Sequence, residues 1–341
     1  EKVYGVPSER VAVSYLNLGF LLDDAHQWQE AIDATTVGMA MLEQVGARNS
    51  HFYRNGLSIQ ANAMTGMGRD EEALSFSRRV YQETREANPN NPARWLSRQF
   101  HLGVCLKKCN RTREAAHYLT DTRKKIEELG GQSSGLYAKT LFQLGDLSVS
   151  LDRTAEGIAY IEEATELFRI RSGGKGNSYA SCLNRLGEIH LELEQLKTAQ
   201  FYFESTLEAL RSISTDFTPS DILDPGIYMQ ASIRLSRTNI AMIQSGENPE
   251  EMIRQELQRL RQLATFLDLV RVSVVSQTEK EAWLSRQEEL CALGVDLSVW
   301  INRLDPAKKE YQAVLLYFAE KSKANLLIES RVLDQRANEL D

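Results

Sequence analysis

The sequence predicts an all-α fold, a row of antiparallel helix pairs, and three observations carry that prediction. Small residues stand at Gly19, Ala61, Gly103, Gly145 and Gly187, each 42 positions after the last, and a second series, Ala31, Ala73, Ala115, Gly157 and Ala199, keeps the same interval. Around both series apolar residues recur with a period near 3.6, the spacing of an amphipathic helix. Runs of β-forming residues bounded by turns are nearly absent, while the linker positions Gly46, Asn88, Gly130 and Ser172 are again 42 apart. A fixed period of this length marks a repeat array, in which each unit buries its apolar face against its neighbours.

The elements follow in order. Repeat one opens on Ser8, a good helix N-cap, with Val11, Tyr15, Leu18, Gly19 and Leu22 on its first helix; it turns at Ala25-His26-Gln27 and continues through Trp28, Ala31, Ile32, Val37 and Leu42. Repeat two runs through Leu57, Ala61 and Met64, turns at Gly68-Arg69-Asp70, continues through Ala73, Leu74, Val80 and Tyr81, and stops in the Asn/Pro loop ending at Pro92. Repeat three has Phe100, Leu102, Gly103 and Leu106, then Ala115, Ala116, Leu119 and Ile126 before Gly130-Gly131. Repeat four has Leu141, Leu144 and Gly145, then Gly157, Ile158, Ile161, Ala164 and Phe168, with a Gly-rich linker from Ser172 to Gly176. Repeat five carries Leu183 to Leu191 around Gly187, then Thr198-Ala199 and Tyr202-Phe203. These five units span 8–211. The period then breaks. Residues 212–225 read as an insertion or linker, and 226–271 as a degenerate sixth pair with helices over about 228–244 and 250–270. A C-terminal segment over 276–341 holds two longer helices, about 279–302 and 306–340. End units of an array differ because one face meets solvent or another domain.

The 341 residues carry a formal net charge of -7, which argues against a general phosphate-binding surface and hence against nucleic acid as a partner. A hydrophobic content of 42% suffices for a core, yet no apolar run reaches the ~20 residues of a membrane span. The first residues lack the pattern of a secretory signal. The four cysteines, Cys105, Cys109, Cys182 and Cys291, are not spaced as a disulfide framework, so a reducing, cytoplasmic setting is expected. The chain does not begin with Met, and we expect a piece of a longer protein.

The pairs Leu18-Gly19, Leu102-Gly103, Leu144-Gly145 and Leu186-Gly187, with Ala31, Ala73, Ala115 and Ala199 in the second helices, resemble the tetratricopeptide repeat (TPR). The 42-residue unit is longer than the ordinary one and is similar to the kinesin-light-chain type; Leu183-Asn184-Arg185-Leu186-Gly187 is close to that type's Leu-Asn-Asn-Leu-Ala, whereas other repeats lack both Asn. The resemblance implies a TPR-type α-solenoid, a right-handed superhelix of antiparallel pairs whose concave face is lined by the first helix of each pair. A second resemblance lies in the C-terminal segment: Ser276-Gln277-Thr278-Glu279-Lys280-Glu281, Asp296-Leu297-Ser298, Tyr311 to Leu315 and Ala319-Glu320-Lys321-Ser322-Lys323-Ala324-Asn325-Leu326-Leu327 look like the helical segment preceding the protease-like domain of bacterial TPR–CHAT proteins. It implies a downstream caspase- and separase-like CHAT domain, which this chain stops before.

Catalytic patterns are missing: no Gly-rich phosphate loop after a strand, no Gly-x-Ser-x-Gly, no His-Glu-x-x-His. His101, Cys105 and Cys109 are four apart but lack a fourth metal ligand, so no metal is expected, nor any cofactor. Cys291 sits in a helix without a partner His and reads as a buried thiol. Glu127, Glu128, Glu281, Glu288 and Glu289 read as solvated faces, Arg259 and Arg261 as a charged exterior. Tyr15, Trp28, Phe168, Tyr202 and Phe203 read as core fillers, Trp283 and Trp300 as packing residues of the terminal helices. No enzyme is predicted.

What remains is binding. The outward positions of the first helices are Asn17, Phe20 and Asp24; Asn55, Ser58 and Asn62; Phe100, His101, Val104 and Lys107; Lys139, Phe142, Gln143 and Asp146; and Asn184, Arg185 and Glu188. Their amides can bond both C=O and N–H of a peptide backbone, so the set suits an extended peptide or a partner helix. We expect a protein-interaction scaffold, the sensor or regulatory arm of a CHAT-type protein with a protein or peptide partner. The alternative is a free-standing adaptor or peptide-sensing regulator. Such regulators usually carry an N-terminal helix-turn-helix, for which a first repeat starting at residue 8 leaves no room.

Overall fold

The computed structural model describes residues 8–24, 27–211, 221–246, 249–273, 277–304 and 312–323. They form helix pairs: α1 (Glu9–Asp24) with α2 (Trp28–Gln44), α3 (His51–Gly66) with α4 (Asp70–Ala87), α5 (Pro92–Lys108) with α6 (Thr112–Glu128), α7 (Gly135–Ser150) with α8 (Thr154–Ser172), and α9 (Asn177–Glu192) with α10 (Leu196–Leu210). Then come α11 (Pro225–Gln244), α12 (Pro249–Ser273), α13 (Gln277–Leu304) and a helical stretch over 312–323. Apart from one isolated bridge, Arg211 to Ile222, the described residues hold no β-structure. The fold is all-α and of the repeat type expected.

Local chemistry starts and stops the helices. Side chains of Ser8, Ser50 and Ser134 accept hydrogen bonds from the N–H groups of Val11, Tyr53 and Tyr137 at 3.2–3.3 Å, and Asp224 does the same for Ile227 at 2.9 Å. Such caps satisfy N–H groups that have no partner within the helix. Asp224, with Pro225 beside it, starts α11 three residues before the expected Tyr228. Within four pairs the turn repeats one geometry. Gly68, Asn110, Asp152 and Glu194, again 42 apart, all have positive φ, between 56° and 73°. The N–H of the next residue (Arg69, Arg111, Arg153, Gln195) donates to the carbonyl five residues back, at 2.8–2.9 Å, closing the preceding helix. Arg69, Arg111 and Arg153 then pair with Glu72, Glu114 and Glu156 in the first turn of the following helix. The expected first turn at 25–26 lies outside the described residues.

The small-residue series sits where paired helices cross. A Cβ on Gly145 would lie 2.8 Å from the Gly157 carbonyl oxygen, and one on Gly157 2.7 Å from the Gly145 carbonyl oxygen. On Gly187 it would meet the Phe203 ring at 2.6 Å, and on Gly103 it would meet Leu119 at 2.8 Å. No residue larger than glycine fits without displacing its neighbour.

The chain divides into two compact units, Glu1–Ala164 and Thr165–Asp341, and the division falls inside α8, within the fourth pair. One core cluster of the first unit gathers Ala12, Leu16, Met39, Leu42, Tyr53, Leu57 and Val80. The second unit has a larger cluster running from Ala180 and Leu210 through Phe266 and Leu290 to Phe318. Two expected core residues of repeat one face outward: Leu18 is 46% and Val37 41% exposed. The physical reason is that α1 seats on its neighbours through Ala12 and Leu16. No described helix is long and apolar enough to cross a membrane.

Candidate functional site

The first helices of the pairs carry the side chains expected to face a partner, and individual faces treat their charges differently. In the first unit, α3, α4 and α5 enclose a cleft of about 10 Å³ lined by Ser58, Ala61, Asn62, Ser77, Val80, Arg98 and His101. That volume accommodates one water-sized group. Asn55, Asn62 and His101 are exposed, Ser58 and Arg98 half-buried. Arg98 Nη2 donates to Asn55 Oδ1 at 2.7 Å, and Arg54 Nη1 to the Asn49 carbonyl at 2.7 Å. Desolvation, then the facing charge of Arg54, holds the Arg98 guanidinium below its usual range. Desolvation, then the charges of Arg98 and Lys139, pull His101 down to about 4, although the residue is exposed. At neutral pH this imidazole is uncharged. Further along α5, Lys107 Nζ reaches α7, donating to Gln143 Oε1 at 2.8 Å and pairing with Asp146.

The second unit closes its charges internally. Glu188 Oε2 accepts from Arg185 Nη1 at 2.9 Å, and Glu188 Oε1 accepts from Asn184 Nδ2 at 2.9 Å and pairs with Arg234 Nη1 at 2.6 Å. Arg234 comes from α11 and is itself held below its usual range by desolvation. On α12, Glu256, 2% exposed, accepts from Asn239 Nδ2 at 2.7 Å and pairs with Arg259, which also donates to the Ser232 carbonyl and Ser236 Oγ.

Several expectations need correction. Phe100 and Asn184, expected to face the partner, are both 6% exposed. They share one register with Ser58 and Phe142, which are half-buried, so this position turns toward packed neighbours rather than outward. Asn17 and Phe20 are exposed, Phe20 at 57%, while the side chain of Asp24 lies outside the described residues. Lys107, Gln143, Asp146, Arg185 and Glu188 are half-buried and engaged in the pairs above. Arg259 is no exterior charge but the inward partner of Glu256. Glu127 accepts from the Tyr137 hydroxyl at 3.0 Å and pairs with Arg123; Glu289 pairs with Arg237. The side chain of Glu281 is outside the described residues, as are 324–341 of the CHAT-like segment. Sequence reasoning missed Arg54, Arg98 and Arg234. Arg98 lies one helical turn before His101, and following the face of α5 back by that turn finds it.

The thiols are poor nucleophiles. Burial pushes Cys182 up to about 12 and Cys291 up to about 11, so neither ionises near neutrality. Among the described residues no three His, Cys, Asp or Glu side chains converge to hold a metal. Cys105 is buried beside Ser77 Oγ at 3.2 Å and fills core space.

Comparison with known proteins places this geometry. Residues 136–212 match the tetratricopeptide repeat model. No curated protein matches the chain. Among solved structures, BtubC (BKLC) from P. vanneervenii is similar with a TM-score of 0.57 at 18% identity, over 71% of this chain and 92% of its own. The apo form of RapI is similar with a TM-score of 0.54 at 12% identity, over 92% of this chain and 99% of its own. From Pyrococcus horikoshii, PH0952, a signal transduction ATPase with numerous domains and a tetratricopeptide repeat sensor, is similar with a TM-score of 0.56 at 15% identity. That match spans 96% of this chain and 44% of PH0952. At these identities the likeness concerns the fold.

Proposed function

We propose that this tetratricopeptide-repeat chain is a protein-interaction scaffold, the sensor or regulatory arm of a larger CHAT-type protein, binding a peptide or protein on the open face of its first helices. The observation that carries the reading is the α3–α5 face: exposed amides, a cleft among α3, α4 and α5, and a desolvated Arg98 that pairs with no carboxylate among the described residues. Two exposed Asn side chains offer both donors and acceptors to a peptide backbone. The raised Cys182 and Cys291 support a chain without peptidase chemistry of its own. PH0952, in which similar repeats form the sensor of a multi-domain protein, supports the regulatory role by analogy of fold alone.

The test is capture of partners by the tagged chain, followed by cross-linking mass spectrometry. Cross-links from the partner to the α3 and α5 faces are expected. Cross-links confined to the exteriors of α4 and α6 would sink the groove reading. Hydrolysis of a peptide panel by the purified chain would sink the non-catalytic one. For the CHAT assignment, the decisive observation is the reading frame beyond Asp341: a His/Cys-bearing α/β domain supports it, a stop codon removes it.

A further inference from the structure

We propose that the α3–α5 face of the first unit recognises an acidic peptide, with a carboxylate at the mouth of the cleft lined by Ser58, Asn62, Arg98 and His101 and one of its oxygens entering it. This rests on the scaffold reading and adds the chemistry of the partner.

Three observations converge. The first is the register of Arg98. The positions 42 and 84 residues away along the repeats are Ser14, Gly56, Thr140 and Cys182, all small, and of these Gly56, Thr140 and Cys182 are buried while Ser14 is exposed. The register holds a small residue elsewhere, and the third repeat alone among the five places a long cation there. That placement desolvates Arg98, and an unpaired desolvated charge is costly. The second is the company it keeps. Its described acceptor is the neutral Asn55 Oδ1, and the charged groups facing it and His101 are Arg54 and Lys139, all of one sign. In a chain of net charge -7 this is a local cationic patch. The third is an internal precedent. The register that holds Asn62 holds Asp146 in repeat four and Glu188 in repeat five. Asp146 binds Lys107, and Glu188 bridges Arg185 and Arg234. Where those repeats carry their own carboxylate, α3 carries an uncharged amide of similar shape and α5 carries Val104. The missing anion is therefore to be supplied from outside. Guanidinium receives a carboxylate in a directional, charge-assisted geometry, and the exposed Asn62 amide, with Asn55 Nδ2, serves the backbone of the same peptide.

The experiment is fluorescence anisotropy with three fluorescein-labelled peptides: repeated Glu-Leu-Asp-Ala, its uncharged counterpart Gln-Leu-Asn-Ala, and the basic Lys-Leu-Lys-Ala. The acidic peptide is expected to bind, and the uncharged one at least about tenfold more weakly, the scale of one lost charge-assisted contact. Arg98→Thr restores the residue type of Thr140; it is expected to weaken acidic-peptide binding by about tenfold or more while leaving the melting temperature unchanged or raised. Asn62→Glu, which places a carboxylate at the Glu188 register, is expected to abolish that binding and raise the melting temperature. Equal binding of the acidic and uncharged peptides overturns the proposal, as does undiminished binding by Arg98→Thr, or no binding of the acidic peptide at all. Preferential binding of the uncharged or basic peptide overturns it while leaving the scaffold reading standing. The scaffold reading itself falls only with the cross-linking result.

Discussion

Two faces built on the same register behave in opposite ways. On α9 of the second unit, Glu188 occupies the register position of Asn62 on α3, and around it Arg185, Arg234 and Asn184 converge within 2.9 Å. On the α3–α5 face the corresponding acid is absent, and Arg98 and Arg54 confront each other with neutral acceptors. The first arrangement is a closed network in which each charge has its counter-charge in the fold. The second is open, and its electrostatics become favourable only when something anionic arrives. The difference teaches that repeats of one register can close or open their charge balance through a few side chains, Glu188 against Asn62 and Cys182 against Arg98.

The largest way to break this comparison is to open the closed face. Glu188→Gln leaves Arg234, desolvated among α9 and α11, without its paired anion, with Glu289 as the remaining acid in its field. Removing one partner of a poorly solvated pair costs about 3 kcal/mol, measurable as a lowered midpoint in urea. A variant as stable as the parent would show that the Glu188 network is solvated decoration, and the contrast with α3 would lose its meaning.

Next in size is a test of the shared register on which the comparison depends. Gly145→Ala drives a methyl group against the Gly157 carbonyl, which belongs to the helix backbone and cannot rotate away; overpacking of this kind costs about 2–3 kcal/mol. Gly187→Ala meets the buried Phe203 ring instead, and the better helix propensity of alanine offsets part of the clash. Its expected cost is about 1–2 kcal/mol by thermal unfolding. Neutral behaviour at both positions would mean that the series does not mark helix crossings, and Asn62 could not then be aligned with Glu188.

The glycine series was legible in the sequence for this physical reason: at a crossing the backbone tolerates almost nothing, so composition is forced and the period shows. The turns were less legible. Gly68, Asn110, Asp152 and Glu194 share a backbone conformation rather than a side-chain type, and only Gly68 signals it by composition. The face was legible in part. Asn55, Asn62 and His101 are exposed as expected, but Phe100 and Asn184 lie at a register that turns inward, a rotation of one residue that periodicity alone does not resolve. Arg98 was hidden for the opposite reason. Its register reads as core, and only its place one helical turn before His101 on α5 points to the cation in a slot kept small elsewhere.

The smallest effect, and the sharpest for the open face, is the response of His101 to acid. Desolvation and the charges of Arg98 on α5 and Lys139 on α7 hold it at about 4, against an ordinary value of 6.5, while α3 contributes the neutral Ser58 and Asn62 to its surroundings. Between these two values the unfolded chain binds a proton that the folded chain refuses, so the contribution is complete above pH 6.5 and is lost as pH falls toward 4. Because the residue is exposed, the loss is modest. Melting curves from pH 7 downward should show a slope that His101→Asn removes. Asn62→Glu should shrink it too, since a carboxylate at the cleft raises the imidazole toward its ordinary value, as a bound acidic peptide does. A slope identical in the parent and both variants would place His101 outside the field of Arg98 and dissolve the electrostatic unity of the open face.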